Sequence, residues 1–148
     1  MRAFLQGEAV LEDLLGLSRE ELYEIAGQGH NLYDAGLIDS AQRVFEGLTA
    51  LDPDDSFFHG GLGAIYQHQG ALERAILEYD RALALNERDI PSRCNRAEVL
   101  LQQGQTEAAI RELERISELD PHARNSHTLR ARSIALTLLS LVNGPPKP

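Results

Sequence analysis

The sequence predicts an all-α fold, a solenoid of stacked helical hairpins. Three observations predict it: residues of like kind recur every 34 positions, each period contains two stretches of helical apolar spacing, and glycine or proline stands where those stretches must stop. Gly36, Gly70 and Gly104 are 34 apart, as are Ala41, Ala75 and Ala109, and Leu51, Leu85 and Leu119. Asp52, Asn86 and Asp120 follow those leucines. Phe45, Tyr79 and Leu113 share a large apolar position, and Gly29, Gly63 and Ala97 a small one. Several independent columns in one register make chance a poor explanation.

Taken in order, residues 4–16 form a first helix with Phe4, Leu5, Leu11, Leu14 and Leu15 largely on one side. "SREE", Ser18 to Glu21, has capping-box spacing and starts the next helix. Three repeats follow, at 22–55, 56–89 and 90–123. The first helix of each ends near the shared glycine, which suits a left-handed helix stop. The second carries the shared alanine, whose small side chain lets the paired helices come close. Pro53 and Pro121 stop it, with Glu87 standing in the middle repeat. Residues 126–142, with Leu129, Ile134, Leu138, Leu141 and Val142, read as a closing helix over the open end. "NGPPKP" ends it, and residues 143–148 are expected to be a disordered tail to a single domain spanning 1–142.

Bulk properties remove several classes of function. A chain of 148 residues is long enough to bury a core, and its composition, 43% hydrophobic and 25% charged, is that of an ordinary folded protein. A net charge of −9 without a cationic cluster argues against nucleic-acid partners. No stretch approaches a membrane span, and the acidic N-terminus does not read as a secretory signal. Cys94 is the one cysteine, so no internal disulfide forms and a reducing cytoplasm is the expected compartment.

"DDSFFHGGLGAIYQHQG", Asp54 to Gly70, holds three glycines inside a predicted helix. Each should weaken it by roughly 0.5–1 kcal/mol relative to alanine, so each needs a compensating role. Gly63 takes the small position against the second helix of its own repeat, and Gly61 lies toward the preceding repeat. Phe57 and Phe58 open the helix, either facing a ligand or filling the space between repeats.

Period and pattern resemble tetratricopeptide repeats, antiparallel helix pairs whose first helices line a concave groove. That resemblance, not periodicity, implies which residues face the groove: Tyr23, Ala26, His30, Tyr33 and Asp34 in repeat one, then Phe57, Gly60, Ala64, Gln67 and His68 in repeat two, then Pro91, Cys94, Glu98, Leu101 and Gln102 in repeat three. Tyr33, Phe57 and Phe58 are the principal expected contacts.

A narrower resemblance covers nearly the whole chain. "DSFFHGGLGA", "AEVLLQQG" and "YDAGLIDSAQRVFEGLTALD" are similar to the blocks D-S-x-F-F-x-G-L-G-A, A-E-x-L-L-Q-x-G and the tyrosine-to-L-D first repeat of class II chaperones of type III secretion translocators (the low-calcium-response H or SycD-like type). Tyr33, Phe58, Gly61, Leu62, Gly63 and Ala64 align directly. Phe57 stands where that family tends to be polar, His59 where it often has its second aromatic, and "PSRCNR" where it usually has aromatics. The resemblance implies a non-catalytic cytoplasmic chaperone that cradles an extended apolar segment of a hydrophobic translocator before export. It also implies, for some members, a transcription regulator as partner, and a homodimer through the N-terminal helix with Phe4, Leu5, Leu11, Leu14 and Leu15. Packing of that helix on its own first repeat is the alternative.

No enzyme constellation is legible. His30, His59, His68, His122 and His127 form no helical i,i+3 or i,i+4 pair, no metal-ligand or phosphate-loop spacing occurs, and neither cofactor nor metal is expected. The rival reading is a general adaptor that binds a peptide of another protein. Its lysine- and arginine-rich form, which clamps acidic C-termini, is disfavoured because the groove positions contain no cation.

Overall fold

A computed structural model describes residues 16–144. The chain divides after Leu85 into two compact units. The first contains α1 (Arg19–Asp34), α2 (Ile38–Leu51), α3 (Ser56–His68) and α4 (Leu72–Leu85). The second contains α5 (Ile90–Gln102), α6 (Thr106–Leu119) and α7 (Ser126–Asn143). Among the described residues all regular structure is helical.

Side chains at the starts of α1, α3, α5 and α7 satisfy orphan amides of the first turn. Ser18 Oγ accepts from the Glu21 amide at 3.2 Å while the Glu21 carboxylate accepts from the Ser18 amide at 2.7 Å, a complete capping box. Those bonds hold the Glu21 carboxyl below its ordinary range. Asp55, Asp89 and Asn125 cap α3, α5 and α7 by accepting from first-turn amides with their side chains. The polar column after each second helix also has a local purpose. Asp52, Asn86 and Asp120 accept from the amides of Asp54, Arg88 and Arg124, which turns the chain toward the next helix. Between paired helices, Gly36, Gly70 and Gly104 have φ of +78°, +75° and +75°, a region that side-chain-bearing residues avoid.

In the first unit, α1 packs on α2, α2 on α3 and α3 on α4. Phe45 and Tyr79 are fully buried rings. A Cβ on Gly29 would stand 2.8 Å from the Phe45 ring and one on Gly63 would stand 2.7 Å from Tyr79. A Cβ on Gly61 would run into Phe45 from the other side. These glycines let rigid rings lie against helical backbone, so the lost propensity is offset by packing. Accordingly, Gly61→Ala should lower stability by about 1–3 kcal/mol through overpacking. Gly47→Ala, on α2 with nothing within 4 Å of the new Cβ, should raise it by roughly 0.5–1 kcal/mol. Urea unfolding of the two variants checks the opposite signs.

In the second unit, α5 pairs with α6, and α7 touches both. Its core is Cys94, Ala97, Leu113, Ile116 and Ala131, with Ile134 and Leu138 of α7 packed against it. Arg93 and Arg96 of α5 hold Glu112 of α6 at 2.9 and 3.4 Å.

Candidate peptide-binding surface

The first unit carries an aromatic surface whose position is set by the start of α3. Asp55, 4% exposed, accepts from the amides of Phe57 at 2.8 Å and Phe58 at 3.4 Å, fixing the first turn. Its second oxygen accepts from the Tyr23 hydroxyl at 2.5 Å and from Arg19 at 3.2 Å. One carboxylate therefore both starts α3 and anchors a ring of α1. Bonding to Asp55, and then burial, pushes the Tyr23 hydroxyl above its ordinary range, so Tyr23 remains a neutral donor.

Tyr23 and Phe57 lie 5.8 Å apart between ring centres, and His30 lies 5.5 Å from Phe57. These three form an outer layer, with Tyr23 40% and Phe57 44% exposed. Beneath it lie Phe58, 5.4 Å from Tyr23, and Phe45, edge-on to His30 at 5.2 Å. Further along α1 and α3, Tyr33 meets His68 edge-to-face at 5.4 Å, with hydroxyl and Nδ1 3.4 Å apart. Gly60, Ala64 and Gln67 are half-buried, and Gln67 accepts from the Tyr79 hydroxyl at 2.7 Å.

Three residues expected as contacts have no surface to offer. Ala26, Phe58 and Cys94 are 1%, 0% and 0% exposed. For Phe58 the reason is the phase of α3. The Asp55 cap sets the phase so that the two phenylalanines, about 100° apart around the helix, point Phe57 outward and Phe58 inward against Tyr23 of α1. Ala26 is on the buried side of α1, and Cys94 belongs to the core of the second unit. In the second unit Glu98 pairs with Arg130 of α7, and Leu101 is half-buried. Phe4, Leu5, Leu11, Leu14 and Leu15, expected at a dimer interface, lie outside the described residues.

Two contributors went unread in the sequence. Asp55 is one, though a "DDS" ahead of a helix is a capping signal. His59 is the other. It is buried, with Nδ1 2.7 Å from a Glu78 oxygen and Nε2 2.7 Å from the Pro53 carbonyl. Both neighbours accept, so only the doubly protonated ring donates to each. The Glu78 bond raises the His59 pKa against the opposing effect of burial. Glu78 accepts from Arg81 as well, at 2.7 Å.

Among the described residues no group of three histidines, cysteines or acidic residues could hold a metal ion. Burial pushes the Cys94 thiol to about 11, which keeps it protonated and unreactive near neutral pH. No helix among the described residues is long and apolar enough to cross a membrane.

Two family models, both described as tetratricopeptide repeat, match residues 27–90 and 62–133. The low calcium response locus protein H of Yersinia pestis is 32% identical over 105 residues, 71% of this chain. The chain spans 62% of that relative's length. The type III secretion chaperone SycD of Yersinia enterocolitica, solved with a peptide of the translocator YopD, has a TM-score of 0.73 at 28% identity, covering 86% of this chain and 95% of SycD. A T3SS complex from Aeromonas hydrophila reaches a TM-score of 0.82 at 27% identity over 97% of each chain. By its repeats, its relatives and its backbone, the chain belongs to the tetratricopeptide-repeat family, in the group that contains the type III secretion translocator chaperones.

Proposed function

We propose that this protein is a non-catalytic cytoplasmic chaperone for a type III secretion translocator, and that the aromatic surface of its first unit holds an extended apolar segment of that client. The observation that carries the reading is the exposed layer of Tyr23, His30 and Phe57, backed by rings the fold has already ordered. Large apolar side chains left open on a rigid wall gain free energy when a client covers them, at roughly 25 cal/mol per Å² of apolar surface removed from water. Little is lost to reorganisation, because Asp55 and the rings beneath already fix the layer. A translocator with membrane-inserting segments aggregates in water, and a partner that binds its free form shifts that equilibrium by mass action.

Charge agrees with an apolar ligand. The layer of Tyr23, His30 and Phe57 contains no lysine or arginine, and Arg19 beside it donates to Asp55. Among the described residues the layer offers an acidic C-terminal peptide no lysine or arginine of its own.

Calorimetric titration with a translocator peptide, such as the YopD segment bound by SycD, tests the proposal. Saturable binding that Phe57→Glu abolishes is the expected result. Binding of acidic C-terminal peptides but not of translocator peptides would refute it in favour of a general adaptor.

A further inference from the structure

His59 and Arg93 hold the same place in successive repeats, 34 positions apart, and bridge equivalent acceptors. In the first unit the His59 ring stands 2.7 Å from the Glu78 carboxylate and 2.7 Å from the Pro53 carbonyl. In the second, Arg93 donates to the Glu112 carboxylate at 2.9 Å and to the Glu87 carbonyl at 2.8 Å. Glu112 and Glu87 lie 34 positions beyond Glu78 and Pro53 respectively. Each bridge therefore fastens the turn before a first helix to the second helix of the same hairpin. The difference is the cation. Arginine holds its proton near neutral pH and well above it. Histidine does not, and a neutral imidazole has a single N–H, enough for Glu78 or Pro53 but not both.

Pro53 stands two residues before Asp55, whose carboxylate caps α3 at Phe57 and accepts from the Tyr23 hydroxyl. We propose that doubly protonated His59 is a positioning residue for the client layer: its proton fastens the α2–α3 turn from which Asp55 presents Phe57 and anchors Tyr23, so that client binding and this proton strengthen each other. This role rests on the translocator-binding reading of that layer. The groups facing the imidazole favour its charged form on balance. Glu78 of α4 binds it directly, and Glu46 of α2 lines the same hollow of about 530 Å³. Arg81 of α4 opposes them from that hollow while pairing with Glu78. On α3 itself Asp55 is taken up by the two amides, Tyr23 and Arg19. The Glu78 bond is also the largest cause of the raised His59 pKa. As pH rises through that value, the ring keeps the carboxylate, the stronger acceptor, and gives up the Pro53 carbonyl. The turn then loosens and affinity for the client falls.

Two NMR measurements on the full chain test this, and the first needs no client. Solvent exchange of the Phe57 and Phe58 amides, corrected for its intrinsic pH dependence, should quicken on the order of tenfold from about pH 6 to about pH 8.5. The amide of Ile65, buried in the middle of α3, should keep its protection. In His59→Arg, which installs the cation of the equivalent place, the quickening should vanish. The second measurement follows the His59 ring titration with and without a saturating translocator peptide. By reciprocity the peptide should raise the midpoint, by about one pH unit for a tenfold coupling. Wild-type affinity relative to His59→Arg should fall in the same proportion at the higher pH, and His30 and His68, present in both proteins, cancel in that ratio. Exchange at Phe57 and Phe58 that ignores pH would overturn the proposal even where no peptide binds. Equal quickening at Ile65 would also overturn it, by reducing His59 to a general stabiliser. So would a bound peptide that leaves the His59 midpoint unmoved, whether or not His59→Arg folds. A peptide that fails to bind faults the translocator reading, while pH-dependent exchange confined to Phe57 and Phe58 would still establish the positioning role.

Discussion

Replacing Tyr23 and Phe57 together with alanine is expected to weaken translocator-peptide binding by about 2–4 kcal/mol, the range of aromatic hot spots. That corresponds to roughly 30- to 1,000-fold in Kd. Both rings are half-exposed in the free protein, so neither owes its position to the core alone. Both lie beside Phe58, which remains in the variant, 5.4 Å from Tyr23 and 6.3 Å from Phe57. Removing the pair therefore strips the contact layer and leaves the wall standing. Tyr23→Phe separates two contributions. It keeps the ring and releases the bond to Asp55, so it should cost about 0.5–1.5 kcal/mol and mainly speed dissociation as the ring loses its anchor. Urea midpoints of the variants, measured alongside calorimetry, distinguish lost contact from lost fold.

Glu78→Leu should lower the stability of the first unit by about 3–5 kcal/mol, the usual cost of removing one partner of a buried ion pair. Glu78 binds His59 inside the helical packing and Arg81 at its edge, and its loss leaves the imidazole facing only the Pro53 carbonyl. The pair also fixes the direction of pH dependence. His59 binds its proton more tightly folded than unfolded. Its contribution is complete below the ordinary value of 6.5 and is lost as pH rises through the higher folded value. His127, whose pKa is lowered first by burial, acts with the opposite sign and loses stability as pH falls. The difference between wild type and Glu78→Leu isolates the His59 contribution. Unfolding at about pH 5.5 and about pH 8.5 should show that difference shrink at the higher pH.

Much of the fold can be read from residues because its constraints are local or periodic. The glycine column reports a backbone angle, the small column reports a close approach, and "SREE" reports a cap. Each leaves a composition signature at fixed spacing. The aromatic surface is less legible. Phe57 and Phe58 are chemically alike, and only the phase set by Asp55 decides which faces out. Tyr23 and Asp55 are 32 residues apart in sequence, so their bond belongs to the packing of α1 on α3 and to no motif. His59 belongs to no histidine pair at helical spacing. Its role as a buried cation needs Glu78, nineteen positions away on α4.

The central claim is that the surface of Tyr23, His30, Tyr33 and Phe57 receives an apolar translocator segment. Amide and aromatic NMR shifts of the full chain, followed while a translocator peptide is titrated in, test it most directly. The account predicts saturable shifts concentrated on those four residues and on Gly60 and Ala64 between them. Saturation with those six unmoved, and shifts gathered elsewhere, would contradict it.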